Sequence, residues 1–143
     1  MFKNKLVNIM LIIIVALTLV GVVTLVLWNH FTHQPDPNAA PTIDEINALS
    51  FETQEITTNL LSNDFARATF LIHVENKKAL QEIQKREFQV ENIILRTLSG
   101  KRSSDLAGPE GIEGLEEELR NQMNELMQEG SVVKIYTTSW VIQ

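Results

Sequence analysis

Residues 132–143 read VVKIYTTSWVIQ, and this stretch decides the fold. β-Branched and aromatic residues dominate it, and both alternating sets contain apolar side chains. The expectation is a strand buried on much of both faces. Such a strand offsets its ordering entropy only by joining a sheet formed elsewhere in the chain. Working backwards, Gly130 stops a helix whose apolar stripe is Ile112, Leu115, Leu119, Met123, Leu126 and Met127. Glu116, Glu117, Glu118 and Arg120 occupy its other faces as a solvated surface, with Glu116 and Arg120 expected to pair. The GPEG at 108–111 reads as a loop leading into that helix, and Ser103, Ser104 and Asp105 as the cap of a single turn.

Residues 77–98 read as helical, with Leu80, Ile83, Val90, Ile94 and Leu98 close to one stripe and a break near Arg86 and Glu87. Phe88, Ile93 and Leu95 widen the stripe, so the second half is expected to be well buried, and Ser99-Gly100 ends it. Before it, Ala66, Ala68, Phe70, Ile72 and Val74 alternate with Arg67, Thr69, His73 and Glu75, the pattern of a half-buried strand. His73 is expected to face solvent. Residues 62–64 (SND) supply turn chemistry, and 51–61, rich in Thr and Ile, read as the first strand of a hairpin. That hairpin is the sheet the last strand needs, with helices on one side. The expected domain is α+β, in the order strand–strand–helix–helix–strand.

Residues 42–45 (TIDE) have the form of a capping box, with Ile43, Ile46 and Leu49 following at helical spacing. This set either packs on the adjacent domain or contacts another membrane protein near the bilayer. Residues 30–41 (HFTHQPDPNAAP) hold three of the four prolines and read as a stiff extended linker. His30 and His33 lack a third ligand and read as solvated residues at headgroup level.

Residues 6–28, LVNIMLIIIVALTLVGVVTLVLW, contain no charge. At about 1.5 Å per residue they make roughly 34 Å of helix, enough for a hydrocarbon core of about 30 Å. A signal peptide has a shorter apolar region of about 7–15 residues, so the span is expected to be retained. Lys3 and Lys5 precede it, and no Lys or Arg follows before Arg67. The positive-inside rule then puts the N-terminus in the cytoplasm and residues 29–143 outside, with Trp28 and Phe31 in the aromatic belt. The expected division is 1–5 cytoplasmic, 6–28 transmembrane, 29–41 linker and 42–143 external domain.

Composition narrows the function. From residue 42 onward there are 10 basic and 17 acidic residues, a balance of −7, the wrong sign for a nucleic-acid binder. The chain has no cysteine, so thiol nucleophiles, disulfides and cysteine-ligated metals are excluded. No Walker loop, G-x-G-x-x-G, H-E-x-x-H or G-x-S-x-G occurs. Pro109 removes a donor that a phosphate loop through Gly108 and Gly111 would need. Nothing points to an enzyme, a cofactor, a metal or a small-molecule substrate. About a hundred residues outside the span also leave little room for a deep cleft.

Four segments resemble one family: EITTNL at 55–60, KREFQVENII at 85–94, the stretch 106–115 with its P-E-G, and VKIYTTSWVIQ at 133–143. Together with the basic start, the single span and the proline-bearing linker, they look like the flagellar basal body-associated FliL family, in its Gram-positive, Bacillus-like branch. The T-N-L and the aromatic-rich final strand ending in Val-x-Gln are the most specific parts. The chain departs from the family at 99–102 (SGKR), where small or polar residues are usual.

The resemblance implies a single-pass inner-membrane protein at the flagellar base, with an outer domain similar to the stomatin/SPFH fold. It also implies a homo-oligomeric ring around MotA/MotB-type stator units, supporting torque, swimming and swarming. No catalytic residues carry over, and the juxtamembrane set Ile43, Ile46 and Leu49 is the expected partner contact. A stomatin-like membrane scaffold or protease modulator without a flagellar link is the alternative.

Overall fold

Apolar residues all round a helix leave it no water-compatible face, and residues 6–28, with only Asn8, Thr18 and Thr24 polar, fit that description. The computed structural model describes residues 4–32 and 39–143, and the chain divides into two units between residues 40 and 41. The first unit is α1 (Lys5–Thr32), which extends past the expected end of the span at Trp28. None of its residues is buried, and it is long and apolar enough to cross a membrane. Its hydroxyls are satisfied within the helix: Thr18 donates to the Val15 carbonyl and Thr24 to the Val20 carbonyl. The rest of the expected linker, including His33, lies outside the described residues as far as Asn38.

The second unit opens with α2 (Ile43–Ala48). The Thr42 hydroxyl accepts from the Glu45 N–H, and the Glu45 carboxylate accepts from the Thr42 N–H at 2.8 Å, so the capping box forms as expected. The expected strand over 51–61 is instead two short strands, β1 (Ser50–Glu52) and β2 (Ile56–Asn59). Both pair antiparallel with one edge of β3 (Phe65–Val74), whose other edge takes β4 (Val132–Ile142). β3 is therefore the central strand.

The split between β1 and β2 has a local cause. Glu52 pairs with Leu71 and Ile56 with Ala68, so three residues on the outer chain face two on β3. The buried Thr53 stitches the slip: its N–H donates to the Phe70 carbonyl at 2.9 Å, and its hydroxyl accepts from the Phe70 N–H at 3.1 Å. β4 slips at the same point, with Thr138 left over between Thr137, opposite Phe70, and Ser139, opposite Thr69. Both neighbours of β3 thus bulge together, which sharpens the local twist. The β2–β3 turn places Asn63 at φ 66°, a conformation Asn tolerates well.

Ala66, Ala68, Phe70, Ile72 and Val74 are all fully buried beneath the helices. α3 (Lys77–Lys85) is capped by Asn76, whose side-chain oxygen accepts from the Ala79 N–H, and α4 (Glu87–Ser99) follows the break at Arg86. They contribute Ile83, Val90, Ile94 and Leu98 to the core. α4 also buries Thr97, and Ile93 packs against the core, but the expected burial is corrected at two residues: Phe88 is 70% exposed and Leu95 also faces out.

A 3-10 turn over Ser103–Leu106 leads into α5 (Gly108–Asn124). The expected GPEG loop is in fact its first turn. Pro109 suits that place because an N–H there would lack an intrahelical partner. α5 buries Leu115, Leu119 and Met123 but ends before Met127, earlier than the Gly130 stop implied.

β4 also differs from expectation. Only its Val132 and Ile135 are buried; among the described residues β4 has a strand neighbour on one edge alone, and its second half is partly buried or exposed.

Candidate functional site

Several carboxylates of the domain hold its elements together. Glu82 on α3 accepts from the backbone N–H groups of Gln128 and Glu129, at 2.9 and 2.7 Å, and from Arg86 Nε at 2.8 Å. The Gln128 N–H above all, helped by Glu129 and Arg86, holds its carboxyl below the usual range against the opposing effect of burial. That contact fixes the loop between α5 and β4. Asp64 accepts from the Ser62 hydroxyl at 2.6 Å, and Ser62 also accepts from the Ser103 N–H. The hydroxyls of Ser62, then Ser103, lower the Asp64 pKa and tie the β2–β3 turn to the 3-10 turn. The expected Glu116–Arg120 pair is replaced. Arg120 pairs with Glu117 at 3.2 Å, while Glu116 Oε1 accepts from both the N–H and the hydroxyl of Thr137 at 2.8 Å.

Among the described residues, no three His, Asp or Glu side chains group as ligands for a metal. His73 is buried rather than solvent-facing, a correction with a simple cause. It lies between Ser50 on β1 and Lys134 on β4, near the end of β3 where the Val74 N–H also bonds the Leu49 carbonyl.

What the molecule presents is therefore surface. Lys5 begins α1, Trp28 is exposed near its end, and Lys3 lies outside the described residues. The juxtamembrane set divides: Ile43 is 68% exposed, Ile46 is half-buried, and Leu49 packs against the core. A groove between α4 and α5 is lined by Phe88, Ile93, Arg96, Gln122, Glu125 and Leu126. Phe88 was expected to widen the buried stripe; it stands two residues before Val90 and leaves the Val90–Ile94–Leu98 stripe instead. The face of the sheet away from its core carries Phe65, Arg67, Thr69 and Leu71, none of them buried. No short motif signals the edge of β4, because strand order is a property of the whole chain.

The family model for the flagellar basal body-associated protein FliL matches residues 50–143, from β1 through β4. The chain belongs to the FliL family. It is 36% identical over 105 residues to the flagellar protein FliL of Bacillus subtilis (strain 168), covering 73% of this chain and 75% of that one. It is also 37% identical over 79 residues to the flagellar protein FliL of Aquifex aeolicus (strain VF5), covering 55% of this chain and about half (49%) of that one. FliL is a flagellar accessory protein and is not known as an enzyme family. The α1 helix is consistent with membrane attachment.

Proposed function

We propose that this protein is a single-pass inner-membrane accessory of the flagellar motor. Its N-terminus is cytoplasmic, α1 crosses the bilayer, and residues 42–143 form an external domain of the stomatin/SPFH kind. There it forms a ring around stator units of the MotA/MotB type and supports torque by holding their outer segments in the active form. The observation that carries this reading is the FliL match over residues 50–143, from β1 through β4, in a chain that also has a helix able to span a membrane. The lack of any lysine or arginine between α1 and Arg67, against Lys3 and Lys5 before it, supports the orientation. Exposed Ile43, beside Ile46, is the proposed stator contact.

A fluorescent fusion imaged in motile cells tests the role: foci coinciding with motors are expected, and a uniform membrane distribution overturns it. Deletion should impair swimming or swarming while filaments still assemble. Protease added outside spheroplasts should digest the domain, and full protection would reverse the topology.

A further inference from the structure

The outer edge of β4 is guarded along its first half and bare along its second. Near the start, the Val132 N–H donates to Asn124 Oδ1 at 2.6 Å, and Asn124 Nδ2 donates to the Val132 carbonyl at 3.0 Å. Further on, Glu116 takes the Thr137 N–H, and between them Ile135 is buried. Beyond the bulge this protection ends. Phe65 and Gln143 exchange both backbone bonds, N to O at 2.8 and 2.9 Å. By antiparallel alternation, Val141 and Ser139 also turn their polar groups toward β3, whereas Trp140 and Ile142 turn theirs outward. Among the described residues, no strand pairs with that outer edge. Residues 139–143 (SWVIQ) contain no charge and no proline, the devices by which natural edges repel another strand.

We propose that residues 139–143, the end of β4 with Gln143 after it, pair antiparallel with the same residues of a second copy of this chain, across a two-fold axis at Val141. The stretch is self-complementary in that register. Trp140 faces Ile142 of the other copy twice, giving four backbone hydrogen bonds and two aromatic–β-branched cross-strand pairs, with Val141 against Val141 between them. No charge faces a like charge within the stretch, and an uncharged edge offers a charged partner segment nothing to select. So short a contact is weak in free solution. Copies held in one membrane by α1 meet at a high effective concentration, which favours this partner over a soluble one. The inference rests on membrane anchorage and is independent of the motor.

The native chain has no cysteine, so single replacements report the contact cleanly. In a central non-hydrogen-bonded pair the Cα atoms stand about 4.5 Å apart, within disulfide reach. Full-length Val141→Cys, oxidised mildly in isolated membranes, should form disulfide-linked dimers about tenfold more readily than Val133→Cys. Val133 is the fitting control, since it is 45% exposed against 38% for Val141 but lies in the guarded half.

Adding Ile142→Pro to Val141→Cys removes an outward N–H and leaves the β3 ladder intact, so it should abolish the dimer while the chain still fractionates with membranes. The charged variant Ile142→Lys should do the same. Equal crosslinking at both cysteines, no dimer at Val141→Cys in the membrane fraction, or a Val141→Cys adduct to a different protein alone overturns the proposal. Recovery of the chain in the soluble fraction overturns the anchorage beneath it, whatever the dimer yield.

Discussion

A hydrogen atom is all that fits at Gly111. A Cβ built there would lie 2.6 Å from the Leu106 carbonyl carbon and 2.8 Å from the Asp105 carbonyl oxygen, both backbone atoms. Alanine would ordinarily favour a helix over glycine by about 1 kcal/mol. Here overpacking costs about 1–3 kcal/mol, so Gly111→Ala should lower the thermal midpoint followed by circular dichroism. A raised midpoint would mean that the 3-10 turn can move away from α5. Glu82 presents the other residue-scale prediction. Its folded pKa is lowered, so its contribution to stability is complete above the ordinary carboxylate range and is lost as pH falls through the lowered value. Urea midpoints should therefore drop with acid more steeply in the native protein than in Glu82→Gln, and parallel curves would remove Glu82 from the account. Neither residue was legible beforehand. Glu82 looks like any helical carboxylate until the loop at 128–129 closes on it, and Gly111 looked like part of a loop.

At the scale of elements, the shared slip of β1–β2 and β4 against β3 depends on Thr53. Thr53→Val keeps the shape and removes the acceptor of the buried Phe70 N–H. The unpaired donor should cost about 1–3 kcal/mol, read as a fall in urea midpoint without a change in slope. An unchanged midpoint would show that Phe70 finds another acceptor. Periodicity made most elements readable: the alternation of 66–74, the break at Arg86 and the capping box at Thr42 each have a local cause. What it misread was placement at edges. The GPEG turn satisfies both loop and first-turn chemistry, and only the turn before it decides between them. The final strand looked two-sided because both alternating sets are apolar, yet among the described residues it has a strand neighbour on one edge only and is mostly half-buried or exposed.

At the scale of the molecule, residues 41–143 hold every buried apolar side chain among the described residues, and α1 holds none. A fragment of 41–143 should therefore fold alone, with a cooperative thermal transition and a β-containing circular dichroism spectrum. A gradual, featureless melt would tie its stability to the membrane segment. The family and its flagellar accessory role were legible through resemblance in the strands and in α4. The domain's surfaces were less so, since Phe88 and the bare half of β4 become surfaces only once the neighbours of each element are known.

The chain enters this domain through α2 and then β1, a strand of only three residues. Three register pairs with β3 and the bond from the Val74 N–H to the Leu49 carbonyl hold it there. Mechanical tension travelling up the tether would arrive at this short clasp before it reached the long β3–β4 ladder. Peeling would begin there and bare His73, so the domain would yield first at its entrance and keep the remainder of its fold under pull.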